Sequence, residues 1–202
     1  MWALVESGSI TKFINSPKGL VIGDVRYSKK IFQLWSKSEL EAKGIYEVEM
    51  DNSKRKSEEW YINTNVTYAF GSGKVTGSYG DATAKAHADT LFTAQDETDG
   101  LGTEGEVKDR GLKYNLIQTI KKQAAGILQD TDWYIIRKAD AGTAVPSSIT
   151  NHRAAVRTKA AEMETAITNA SDTPALETLY TYTKQEDGSV TRPLGELPTL
   201  ED

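Results

Sequence analysis

The spacing of apolar residues changes part-way along the chain, from the two-residue beat of strands to the three- and four-residue beat of helices. Up to Tyr79 the apolar residues alternate with polar ones or come in short runs. Trp2-Ala3-Leu4-Val5 and the set Ile10, Phe13, Ile14 flank Ser7-Gly8 and predict a first hairpin. Leu20–Ile22 and Val25–Tyr27 flank Gly23-Asp24, the two-residue loop of a tight hairpin, where glycine supplies the positive φ. Ser36-Lys37-Ser38-Glu39 matches a capping box and predicts a short helix through Leu40 that Gly44 ends. Residues 45–50 alternate as a half-buried strand does. Beyond the polar stretch 51–59, Val66, Tyr68 and Phe70 lead into Gly71-Ser72-Gly73, and residues 75–79 answer as a partner strand.

The beat lengthens after a break in composition. Residues 81–105 are small, polar, glycine-rich and acidic, which predicts a connection rather than a core element. Leu112, Leu116, Ile120, Ala124, Ile127 and Leu128 then form one helical stripe, on a helix expected to begin near Glu104 or Glu106. A shorter helix carries Trp133, Ile136 and Arg137 and stops by Gly142. Pro146-Ser147-Ser148 opens a third, with Ile149, Val156, Met163 and Ala160, Ile167 as two interleaved sets at spacing seven. Thr173-Pro174 starts a fourth. Pro193 and Pro198 rule out a long helix at the end of the chain. An extended arm there would lay Leu194, Leu197 and Leu200 on another subunit.

The expected class is therefore α+β: a small, mainly antiparallel N-terminal β module (1–80), a connection (81–105), a helical-hairpin or bundle module (106–183) and a C-terminal arm (184–202). With 38% hydrophobic residues among 202, two real but modest cores are expected. The net charge of -5 argues against a general affinity for nucleic acid or anionic membrane, which needs clustered Lys and Arg. Cysteine is absent, so disulfides and thiolate metal sites are excluded. The N-terminus lacks the basic and apolar regions of a signal peptide, and no apolar run approaches the roughly 18 residues of a membrane span. A soluble chain made in the cytoplasm is expected, with no membrane insertion.

Candidate chemistry is sparse. The acids of residues 96–106 do not follow the spacing of a calcium-binding helix–loop–helix, so a solvated loop is the better reading. His87 and His152 lie in different segments and read as surface or interface residues. Carboxylates are abundant, but no spacing singles out an acid and a nucleophile for glycan hydrolysis. No catalytic residue, cofactor or metal ligand is expected. Trp2, Trp35 and Trp60 read either as core of the β module or as an aromatic strip for protein or sugar contact; Trp35 and Trp60 are kept as structural or interface candidates.

The densest cluster of distinctive residues falls in 128–157: Leu128-Gln129-Asp130-Thr131-Asp132-Trp133, Arg137, Asp140, Gly142, Pro146, Arg153 and Arg157. This pattern resembles the C-terminal helical region of the tail-fibre assembly proteins of tailed bacteriophages, which often carry a glutamate where Asp140 stands. Trp2-Ala3-Leu4-Val5-Glu6 and residues 31–40 are similar to structural proteins of phages that infect marine bacteria. The resemblance implies a non-enzymatic virion structural protein of a phage tail (a fibre, baseplate or adaptor component), partnered by other tail or fibre proteins and by copies of itself. The alternative it leaves is a tail-fibre assembly chaperone, absent from the finished particle. Physically the motif reads as a clasp between helices. Asp130 or Thr131 would cap the helix of Trp133, the indole would fill the space between helices, and Arg153 or Arg157 would reach Asp132 or Asp140 in a bidentate pair. Trp133, Asp132, Arg137, Asp140, Arg153 and Arg157 either hold the helices together or contact a partner.

Overall fold

The structure is a computed structural model that describes residues 1–200, so the last two positions of the expected arm lie outside the described residues. The chain separates into two compact units, Met1–Thr83 and the remainder from Ala84 on. Strands dominate the first and helices the second, the order the hydrophobic spacing predicts.

The first unit begins with the hairpin of β1 (Trp2–Glu6) and β2 (Ser9–Ile14), then the hairpin of β3 (Leu20–Ile22) and β4 (Val25–Tyr27). α1 (Ile31–Leu34) is a single turn. α2 (Lys37–Glu41) opens with the expected capping box: the Ser36 hydroxyl accepts from the Glu39 N–H, and the Ser36 N–H donates to the Glu39 carboxylate at 2.7 Å. β5 (Ile45–Asp51), β6 (Tyr61–Ile62), β7 (Thr67–Gly71), β8 (Lys74–Ser78) and β9 (Thr83–Ala84) follow. Ser72 and Gly73 both take positive φ, as the tight turn between β7 and β8 requires.

Five strands form one sheet in the order β2-β1-β5-β8-β7. One inner pair, β5 and β8, is parallel, and the other pairs of this sheet are antiparallel, in keeping with the mainly antiparallel module expected. The long excursion 52–73 permits the parallel pair, because parallel neighbours need a crossover rather than a turn. On one face Leu4, Ile14 and Ile45 bury with Leu20, Ile31 and Leu40, and Trp2 and Trp35 pack at the rim of that cluster. Each such aliphatic side chain contributes about 1.5–3 kcal/mol when fully buried. On the other face Ala3 stands opposite Phe13 and Tyr46, and Gly77 opposite Met50 and Tyr68. The sheet curls until its edge strands meet, with the Phe13 and Tyr68 rings 4.7 Å apart. Gly77 makes room for this, since a Cβ there would come within 2.7 Å of the Met50 sulfur. Trp60 is buried and Trp35 half-buried, edge-on to Tyr27 at 5.5 Å. Of these two candidates Trp60 is buried, and Trp35 packs at the rim of the cluster.

The second unit corrects two boundaries. Residues 81–105 carry structure of their own: β10 (Thr90–Leu91) pairs with β11 (Val107–Asp109), and α3 (Ala94–Thr98) lies between them. The long helix α4 (Leu112–Gln129) therefore begins later than its acids suggest. Its first N–H groups are already taken: Gly111 donates to the Asp89 carboxylate at 2.8 Å, Leu112 to the Ala86 carbonyl and Lys113 to the His87 carbonyl. Those bonds tie the helix start to the preceding segment and satisfy donors a free helix end would leave bare.

Asp96 joins this small region together. It accepts from Lys108 Nζ at 2.8 Å and from the Thr93 N–H at 2.9 Å and hydroxyl at 2.8 Å. Those partners, Lys108 foremost, lower its pKa to about 2. A carboxyl held below its unfolded value stabilises fully above about pH 4 and loses that contribution as pH falls towards the folded value. An NMR titration of the side-chain carboxyl is expected to show a midpoint of about 2, rising in Lys108→Ala. An ordinary aspartate midpoint in the unsubstituted protein would remove this account.

α5 (Asp132–Ala141), α6 (Ser147–Asn169) and α7 (Thr173–Tyr180) complete the helices. α6 packs chiefly on α4. Ile149, Val156, Ala160, Met163 and Ile167 are all buried, so both interleaved sets face inward. His152, read as a surface or interface residue, is buried on the same side of α6, one residue before Arg153. Asp172 caps α7 by accepting from the Ala175 N–H at 2.8 Å.

The C-terminal segment differs from the arm expected. β12 (Thr183–Lys184) and β13 (Val190–Thr191) make a hairpin, after which Leu194 is buried in its own chain. The Leu194 N–H donates to the Leu179 carbonyl at 3.0 Å. Arg192 lies over the rings of Tyr180 and Tyr182 and donates to Glu196 at 2.8 Å. Leu194 is thus an intramolecular anchor, while Leu200 stays exposed.

Candidate functional site

The motif of residues 128–157 divides into a buried clasp and an exposed helix face. The clasp is built on Arg153. α6 carries this residue on its inward side, only 7% exposed, and directs its guanidinium at the junction between α4 and α5. Nη1 donates to the Leu128 carbonyl at 2.6 Å and to the Thr131 hydroxyl at 2.7 Å, while Nη2 lies 2.8 Å from Asp132 Oδ1. One planar cation therefore meets the negative end of α4, the turn residue, and the acid in the first turn of α5.

The contacts between the helices differ in their parts from the clasp read from the motif. Asp132 receives one nitrogen rather than a bidentate fork, and it remains half exposed. The Coulomb part of that pair is correspondingly small. Thr131 occupies the N-cap position of α5 but caps nothing, because its hydroxyl donates to Leu128 O at 3.0 Å and receives Arg153. Asp130 does not cap α5 either; it ends α4. Arg157 lies exposed, 3.5 Å from the Arg153 carbonyl, outside the clasp. Asp140 is exposed and takes part in no ion pair among the described residues.

Trp133 is the principal correction. It does not fill the space between helices but stands 52% exposed. Its ring lies 4.8 Å from that of Tyr134, and the Arg137 guanidinium lies 4.4 Å above it. Arg137 also reaches the Tyr134 ring at 5.3 Å, and its Nε is buried without a hydrogen-bond partner. No residue of α5 is buried. Ile135 is 43% and Ile136 67% exposed. Truncation by Trp133→Ala is accordingly expected to cost only about 1 kcal/mol, the value of a half-buried ring and an exposed cation–π contact. Thermal denaturation checks this; a loss of several kcal/mol would mean the indole supports the fold.

Thr131 and Ile136 are the residues that sequence reasoning undervalued. A signal existed for Ile136: in so short a helix Trp133, Ile135 and Ile136 cannot all face one side. Trp35 and Trp60 belong to the first unit and are not part of this cluster. Among the described residues no three His, Asp or Glu side chains gather as metal ligands, and no helix is long and apolar enough to cross a membrane. The chain matches no known protein family, no curated protein and no solved structure.

Proposed function

We propose that this chain is a structural protein of a phage tail, a fibre, baseplate or adaptor component that works by protein–protein assembly rather than by catalysis. The reading starts from the resemblance carried by residues 128–157. The observation that supports it best is the outward face of α5, where Trp133 and Ile136 stand exposed beside the half-buried Arg137, on a helix whose first turn Arg153 ties to α6. Tryptophan and arginine are the residue types that most often carry binding energy at interfaces. A rigid base keeps such a face ordered before it meets a partner, which lowers the entropy cost of docking. The partners are other tail or fibre proteins and copies of the chain itself, and the site of action is the virion tail.

Mass spectrometry of purified particles tests the reading. A tail subunit is recovered at a stoichiometric copy number. A chain found only in the infected-cell lysate, and missing from finished particles, would instead be an assembly chaperone.

A further inference from the structure

We infer that a cleft between α4, α6 and the C-terminal segment receives a lysine side chain from a partner protein, with Asp130 as the counter-charge for its ammonium. The inference goes beyond the assembly reading and stands whether or not the chain is a tail subunit. The cleft has a volume of about 470 Å³. Ile127, Met163 and Leu197 give it apolar walls, and Gly126 and Asp130 lie along its α4 side. Its volume falls within the roughly 300–1,000 Å³ of ligand pockets.

Two of these residues are poor choices for the helix that carries them. Gly126 lies inside α4, where glycine is a weaker helix former than alanine, and no positive φ requires it there. Nothing lies within 4 Å of its missing Cβ, so no neighbour in the chain needs the space. Asp130 closes the same helix, at the end whose dipole favours a cation. It takes part in no ion pair among the described residues. Local rules broken without gain to the fold mark places where function sets the residue. Both breaks border one cleft: the first leaves room there, and the second leaves a negative charge.

The other charges nearby are already matched. Arg192, which lines the cleft, donates to Glu196 at 2.8 Å and lies over the rings of Tyr180 and Tyr182. Arg153, at the end of α4, is matched by Asp132. The surplus is one carboxylate, which calls for one cation. An ammonium meets a single carboxylate as a point charge, whereas a guanidinium would leave most of its five donors unserved. The lysine stem suits the walls, because it buries against apolar side chains while the charged head stays near water. Gln123, Gly126, Asp130 and Glu196 are all exposed, so the cleft is open at its rim. A free amine would lose its translational freedom there for one half-wet contact. A lysine delivered by a protein already docked beside the cleft avoids most of that loss.

NMR titration of the full, isotopically labelled chain with Nα-acetyl-lysine methylamide tests the site. Saturable shifts are expected at the Gly126, Ile127 and Asp130 amides, at millimolar concentrations of the probe. The norleucine analogue, which keeps the stem and lacks the ammonium, should bind about fivefold more weakly, and Asp130→Asn should weaken the lysine probe by about as much. Asp130→Lys and Gly126→Leu should abolish the shifts while unfolding at a temperature no lower than the parent's, since each suits the helix better. That combination separates loss of the site from loss of the fold. An absence of saturable shifts, equal binding of the norleucine analogue, or unaltered binding in Asp130→Asn or Gly126→Leu overturns the inference. So does a preference for cadaverine, which would assign the cleft to a free diamine, or for the blocked arginine or glutamate analogue.

Discussion

Arg153→Met is expected to destabilise the helical unit by about 3 kcal/mol, measured by chemical denaturation, while leaving its helix content nearly intact below the transition. Methionine preserves much of the volume, so the loss reports hydrogen bonds rather than a cavity. The removed guanidinium is almost fully buried and makes three contacts at 2.6 to 2.8 Å. Charge-assisted hydrogen bonds of this kind are each worth about 1.5–3 kcal/mol, and the desolvation that Arg153 no longer requires offsets part of the sum. The Leu128 carbonyl keeps other partners, the Thr131 N–H at 3.1 Å and its hydroxyl at 3.0 Å, which limits the damage. Arg153→Lys should recover only a minor part, because an ammonium lacks the planar fork that serves three acceptors at once. Asp132→Asn should cost well under 1 kcal/mol, since that end of the bridge is half in water. A methionine variant as stable as the parent would show that α4, α5 and α6 are held by their apolar contacts alone.

The second large effect lies in the β unit. Gly44→Ala is expected to cost about 3 kcal/mol, because two separate penalties add at that position. The backbone of Gly44 is left-handed, with φ +76. A Cβ there would also come within 2.5 Å of the Val5 carbonyl oxygen, a backbone atom that cannot swing aside. Val5 itself donates to the Gly44 carbonyl at 2.8 Å, so the close approach is part of how β1 is tied to the turn before β5. Relief of the clash would shift β1, the strand that carries Leu4 into the core. Gly8→Ala is the control. That glycine is also left-handed, at φ +79, but nothing lies within 4 Å of its missing Cβ. It should pay only the conformational cost, about 1 kcal/mol. Equal losses at both positions would show that the approach to Val5 contributes nothing.

The two positions differ in how much of their role could be read in advance. Gly44 was recognisable as a helix stop, since a capping box and a short apolar run precede it. Its contact with Val5 was not, because those residues are distant in sequence and meet only when β1 pairs with β5. The sequence offers Arg153 or Arg157 as half of a clasp and Asp132 or Asp140 as its partner, and only the structure selects Arg153 and Asp132. The Thr131 hydroxyl and the Leu128 carbonyl were not foreseeable as the main acceptors of Arg153, since a backbone carbonyl has no signature in sequence. Trp133 shows the limit most plainly. Its size argues for burial, yet burial depends on whether another element arrives to cover it, and α5 packs only slightly on α4.

What the sequence determines by itself is local: the hairpins at Ser7-Gly8, Gly23-Asp24 and Ser72-Gly73, the capping box at Ser36, and the inward stripes of α4 and α6. Each rests on turn chemistry or on periodicity, which act between residues a few positions apart. The tertiary structure alone decides the parallel pairing of β5 with β8, the late start of α4, the docking of Leu194 into its own unit, and the outward face of α5. Each of those depends on which surfaces meet across long stretches of chain, and there the competition among possible burials, rather than any local preference, sets the outcome.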